Sequence, residues 1–190
     1  TPQIFIDGER IGGHDDLPRH LGLKVADPNK PTYRPVLAVF AIAAALALAI
    51  EIGTGHRLAP VPIVERFIAL SMVILALLKL QDVERFATMF LNYDLLARKW
   101  VPYGRVYPFA EALAGILMAG HLLPWLSIPI ALFIGTIGMV SVFKAVYIDQ
   151  RELKCACVGG NSNVPLGFVS LTENVMMVAM ALWMAARLLA

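Results

Sequence analysis

The chain has 190 residues, of which 58% are hydrophobic and 16% are charged, with a formal net charge of +2. A mean hydropathy of +0.69 excludes an ordinary soluble domain, and so small a net charge excludes a partner held through nucleic-acid phosphates. Two cysteines, Cys155 and Cys157, are too few and too close together to staple a secreted scaffold, so they read as chemistry.

The chain opens with soluble character. Gln3 to Ile6 reads as a strand, Asp7-Gly8 as a tight turn and Glu9 to Ile11 as the returning strand, broken by Gly12-Gly13. His14-Asp15-Asp16 then starts a short helix that runs through Leu21 and ends at Gly22. Lys24, Lys30 and Arg34, spaced by Pro28, Pro31 and Pro35, make residues 24–35 a basic linker. A unit below about 40 residues cannot build its own core, so residues 1–23 read as part of a domain.

The run from Thr1-Pro2-Gln3-Ile4-Phe5-Ile6 through Gly12-Gly13-His14-Asp15-Asp16-Leu17 resembles the C-terminal third of a glutaredoxin, a thioredoxin-fold family. The resemblance implies glutathione as a cofactor, with Thr1, Pro2, Gly13, His14 and Asp15 as its contacts: backbone N–H groups at a helix start hold a carboxylate, and a nearby acid holds the ammonium. The family's Cys-Pro-Tyr-Cys nucleophile lies upstream of the matched segment and is absent from this sequence, so no glutaredoxin catalysis is expected from these residues alone.

Residues 36–190 carry long apolar segments at Val36–Ile52, Ile63–Leu80, Val106–Leu123, Leu126–Tyr147 and Leu166–Leu189. Each approaches the roughly 20 residues that cross a bilayer, which predicts an all-α polytopic membrane protein of about five transmembrane helices. Lys and Arg gather before the first segment, between the second and third (Arg85, Arg98, Lys99, Arg105), and between the fourth and fifth (Arg151, Lys154). The positive-inside rule makes those connections cytoplasmic. The expected setting is a bacterial inner membrane with the N-terminal segment and the cysteine loop on the cytoplasmic side.

Charged residues inside the segments converge on that same level. At about 1.5 Å of rise per residue, Lys79, Glu111 and Lys144 fall one to two turns inside the cytoplasmic boundary and Glu173-Asn174 about three. Intramembrane charges are costly, so pairing of Glu111 or Glu173 with Lys144 or Lys79 is expected, against the alternative that the two lysines snorkel to the interface. Met176, Met177, Met180 and Met184 share a face with Glu173; such a stripe is either packing or a set of soft ligands.

Cys155-Ala156-Cys157 stands beside Lys154 and Arg151, which would favour thiolate, the form that attacks disulfides and binds soft metals. The chain from about Phe67 to Trp183 also resembles the MauE/DoxX-like group of redox-associated membrane proteins. The resemblance is carried by Leu78-Lys79-Leu80-Gln81-Asp82, by Asn92-Tyr93-Asp94-Leu95-Leu96, by Tyr107-Pro108-Phe109-Ala110-Glu111 and by the segment from Arg151 to Cys157. Ala156 and Val158 depart from the group's Cys-Gly-Cys-Phe-Gly pattern. It implies a DoxX-like core of four helices, with the first segment as connector.

The leading expectation is a thiol–disulfide relay or redox-maturation protein in which Cys155 and Cys157 cycle, Lys154 favours thiolate and Glu111 or Glu173 handles the proton. Its partners would be the lipid bilayer and either a redox protein or a quinone. The alternatives are soft-metal handling of Cu(I), Ag(I) or Hg(II) through Cys155, Cys157, Met176 and Met177, and a non-catalytic membrane subunit of a redox complex.

Overall fold

The structure is a computed structural model that describes residues 3–13, 16–22, 31–54, 59–156 and 164–189. It divides into two compact units, Thr1–Pro31 and Thr32–Ala190.

In the first unit, β1 (Ile4–Ile6) and β2 (Glu9–Gly12) form an antiparallel hairpin that pairs Phe5 with Arg10 and Ile6 with Glu9. Asp7 and Gly8 both have positive φ, the backbone a two-residue hairpin turn requires. Helix α1 (Asp16–His20) follows, and the chain leaves it through Gly22 at φ +69°. Among the described residues this unit holds a two-stranded sheet and one short helix.

The second unit is helical: α2 (Arg34–Gly53), α3 (Pro60–Leu80), α4 (Val83–Phe90), α5 (Val101–Ala119), α6 (Pro124–Phe143), and α7 (Phe168–Leu189). A π-helical turn, Lys144–Ile148, prolongs α6. Four of these helices are long and apolar enough to cross a membrane: Arg34–Gly53, Pro60–Leu80, Pro124–Ile148 and Phe168–Leu189. Leu37 and Ile42 of α2, Leu77 of α3, Phe133 of α6 and Leu182 of α7 stay exposed, an arrangement suited to lipid and not to water. Trp100 and Trp125, both exposed at helix starts, have the amphipathic side chains favoured at a membrane interface.

The expected count of five crossings becomes four by this measure. α5 has 19 residues and carries Arg105, Glu111 and two prolines, so its hydropathy falls short. It lies between α3 and α6, with its charges met by protein. The expected start at Val106 is also late, because Pro102 and Gly104 read as breakers; a proline in the first helical turn loses no hydrogen bond, and the helix begins at Val101. Its end is early, since His121 and Leu123 take positive φ to turn the chain into α6.

Helices α3, α5, α6 and α7 pack as the core, and α2 lies along α3. Close approach rests on small residues: a Cβ at Gly115 of α5 would come within 3.1 Å of the Ala69 carbonyl of α3. None of the expected segments covers α4, eight residues capped by Asp82, whose side chain accepts the Arg85 N–H at 3.0 Å. It buries Phe86 and Phe90 against Tyr93, Tyr103 and Tyr107.

Between α4 and α5, buried Asp94 accepts the N–H groups of Leu96 and Ala97 at 3.0 and 2.8 Å. Burial pushes its carboxyl above the usual carboxylate range, because the charged form loses hydration. The folded chain therefore keeps this proton to a higher pH than the unfolded chain, and the associated stability is lost as pH rises through the folded value. Asp94→Asn keeps the accepting oxygen and removes the charge, so we expect equal or greater stability than the parent at neutral and alkaline pH. Asp94→Ala, which strips two buried N–H groups of their acceptor, should lose about 1–3 kcal/mol. Thermal denaturation in detergent across pH checks both.

Candidate functional site

The site sits at one end of the core. Lys79 is one residue from the end of α3, Glu111 is at mid-length in α5 and Glu173 is in the second turn of α7. The Lys79 ammonium donates to both oxygens of Glu111, at 2.6 and 2.8 Å, and to Oε1 of Glu173 at 2.7 Å. That uses all three of its N–H groups. Its Nζ also lies 5.4 Å from the centre of the Tyr107 ring, a cation–π contact. All three charged side chains are buried.

One ammonium against two carboxylates leaves a surplus negative charge unless the carboxyl pair shares a proton. Glu111 and Glu173 lie within hydrogen-bond reach of each other, an arrangement that such a proton would bridge. Of the two lysines weighed as partners, Lys79 thus takes both acids. Lys144 opens the π-helical turn and pairs instead with Asp149, five residues on, at 2.8 Å and with 44% of its side chain exposed.

Cys155 arrives from the loop after α6. Leu153–Cys155 is extended and pairs with 164–166: the Cys155 N–H donates to the Val164 carbonyl at 2.8 Å and the Leu166 N–H to the Leu153 carbonyl at 2.7 Å. Neighbouring side chains of an extended segment face opposite ways, so Lys154 is exposed while Cys155 turns inward and is 1% exposed. The Cys155 sulfur is disulfide-bonded and accepts the Ser170 hydroxyl at 2.9 Å. Cys157 lies outside the described residues.

Alternation carries the Lys154 side chain to the surface, and a hydroxyl from the first turn of α7 donates to the Cys155 sulfur. Ser170 was missed because a lone serine at a helix start carries no chemical signature, although it shares a face with Glu173 and Asn174 at three- and four-residue spacing. Tyr93 was legible only as part of a family-like string. Its hydroxyl receives the Ala156 N–H, which fastens the cysteine loop to the segment after α4, and burial pushes its phenol well above the ordinary range.

A small cavity joins the two halves of the site, lined among others by Lys79, Tyr93, Cys155, Ser170, Glu173 and Asn174. The remaining expected residues are not brought to it. Met177 packs its sulfur on Gly135 of α6 and Met176 is half-buried, both suited to helix packing. Among the described residues no group of three or more His, Cys, Asp and Glu could hold a metal ion. Thr1, Pro2, His14 and Asp15 lie outside the described residues, and the Gly13 N–H donates to the chain's own Asp16 carboxylate at 2.8 Å.

Helices of crossing length, an apolar exterior and a buried ionic centre define an integral membrane protein. The family model described as methylamine utilisation protein MauE matches residues 57–187, more than half of the chain, and the protein belongs to that family. The match spans α3 to α7, the four-helix core and the whole of the buried site. No curated protein and no solved structure matches the chain.

Removing one member of a buried ion cluster leaves uncompensated charge, which typically costs about 3–5 kcal/mol. Lys79→Met is expected to lose stability on that scale, whereas the triple replacement Lys79→Met, Glu111→Gln, Glu173→Gln should recover most of it. Melting temperature and monodispersity of the detergent-solubilised variants read this directly.

Proposed function

We propose that this protein carries out thiol–disulfide exchange at a membrane, in redox delivery or protein maturation, with Cys155 and Cys157 as its working pair. The observation that carries the reading is the Cys155 sulfur itself, disulfide-bonded, hydrogen-bonded by Ser170 and facing the same cavity as Lys79 and Glu173. A sulfur with only a packing role has no need of a buried ammonium and a pair of acids beside it.

Burial of Cys155 divides the labour between the two sulfurs. A partner thiolate has no path to a sulfur that is 1% exposed, so it attacks the other sulfur of the disulfide, that of Cys157. A new disulfide forms between the partner and Cys157, and Cys155 leaves as a thiolate. The partner is oxidised, the protein is reduced by one thiol, and a second partner thiol completes the two-electron exchange. Ser170 donates more strongly to a thiolate than to a disulfide sulfur, so its hydrogen bond strengthens as the leaving group develops.

The exposed basic residues at this end, Arg85, Arg98, Lys99, Arg105, Arg151 and Lys154, support a cytoplasmic orientation under the positive-inside rule. Glutathione, or a glutaredoxin-like domain of the kind the N-terminal segment resembles, is the partner that fits that compartment. These residues hold one pair of cysteines, so net transfer of electrons onward requires a redox protein, a quinone or a further segment of the protein as the next carrier.

Titrating the full chain in glutathione buffers, with alkylation and mass readout, should give one reversible two-electron transition between roughly −200 and −320 mV. Cys155→Ser and Cys157→Ser should each abolish it, with only Cys155→Ser leaving a cysteine that forms a stable mixed disulfide. Cysteines that stay reduced throughout, and are shielded from alkylation only by Cu(I) or Hg(II), would overturn the reading in favour of metal handling.

A further inference from the structure

The cavity beside Cys155 is narrow. It offers about 20 Å³ of space for the centre of a water molecule, and about 10–15 Å³ suffices for one. Gly138 of α6 also lines it, and a Cβ there would overlap the Asn174 side-chain oxygen, so glycine is what makes room for that oxygen. Asn174 is 6% exposed; its side-chain N–H donates to the Ser170 carbonyl at 2.8 Å while its Oδ1 has no partner among the described residues. A buried amide oxygen without a donor, on the wall of a cavity of this size, marks a site for a donor that comes from outside the protein. Water needs two or more polar partners to stay in such a place, and Asn174, Ser170 and Glu173 all line the same space.

We propose that this cavity holds a single water that carries a proton from the Glu111–Glu173 pair to Cys155, with Ser170 as the last link and Asn174 as the residue that positions the water. The proposal rests on the exchange reading above and adds the source and route of its proton. The water accepts a hydrogen bond from the protonated carboxyl and donates to Asn174 Oδ1 and to Ser170 Oγ. When a partner thiolate attacks Cys157 and the bond to Cys155 breaks, Ser170 passes its hydroxyl proton to the departing thiolate. Ser170 regains a proton from the water, and the water regains one from the carboxyl pair. The products are a mixed disulfide on Cys157, a neutral thiol at Cys155 and one more carboxylate facing the Lys79 ammonium. Reoxidation by a disulfide partner runs the same steps in reverse. The Lys79 ammonium is not the donor, since its three N–H groups are already directed at the two glutamates.

The test is the rate at which the full-length oxidised protein in detergent is reduced by glutathione, measured against pH in H₂O and in D₂O, for the parent, Asn174→Leu, Ser170→Ala and Ser170→Thr. Asn174→Leu keeps the volume and removes the water's acceptor; Ser170→Thr keeps the hydroxyl. The first two substitutions should each slow reduction by at least about tenfold, the lower edge of what a positioned proton donor contributes, and should alter both the pH profile and the solvent isotope effect. Ser170→Thr should restore the parent rate. Parent-like rates, pH profiles and isotope effects in folded Asn174→Leu and Ser170→Ala would overturn the water route while leaving the exchange reading intact. If Asn174→Leu does not fold, the contrast between Ser170→Ala and Ser170→Thr decides alone, and equal rates in those two overturn the proposal. A parent protein that glutathione cannot reduce at any pH would sink the exchange reading, and the water route with it.

Discussion

The three hydrogen bonds of the Lys79 ammonium are the constraint on which the rest of the structure depends. They tie α3 to α5 and to α7 at one level, and they do so where water cannot share the load. In lipid surroundings an ion that loses its partner has no cheap alternative, so the relative heights of these three helices are set to within a hydrogen bond. The short packing distances follow. Gly115 can lie on the α3 backbone, and Gly138 under Asn174, only if the helices keep that register.

The same constraint explains why the cysteine loop is held as it is. With α7 fixed by Glu173, Ser170 stands one turn nearer the helix start and presents its hydroxyl to the incoming Cys155. The pairing of 153–155 with 164–166 and the Ala156 N–H on Tyr93 hold the sulfur there from the other side. The result is a sulfur that does not meet solvent yet borders the buried cluster of Lys79, Glu111 and Glu173. At the opposite end of the bundle, Glu65 accepts from Trp183 and Arg187 at 2.7 and 2.9 Å, with His121 of the α5–α6 turn 3.8 Å away. What sets the Lys79 end apart is the sulfur of Cys155.

Much of this was legible in the sequence because membrane segments are written in composition. The apolar runs gave α2, α3, α6 and α7 to within a few residues, and helical rise put Lys79 and Glu111 one to two turns inside the same boundary, with Glu173 about three turns in. What failed, failed for local reasons. Pro102 and Gly104 disguised the start of α5, and α4 was too short and too polar to register beside its neighbours. Lys144 was misplaced because a π-helical turn cannot be read from spacing. Ser170 and the partnerless oxygen of Asn174 were invisible for a different reason: their significance lies in a cavity that exists only once three helices have packed.

The central claim is that the redox state of Cys155 and the protonation of the glutamate pair are one coupled system. The most direct measurement is an infrared difference spectrum between the oxidised and reduced forms of the detergent-solubilised chain, taken for the parent and for Glu111→Gln and Glu173→Gln. Coupling predicts that reduction converts a carboxylic-acid band to a carboxylate band, and that either glutamine substitution removes or shifts the change. A difference spectrum that shows the thiol appearing with no carboxyl change, in a parent protein that cycles reversibly, would contradict it.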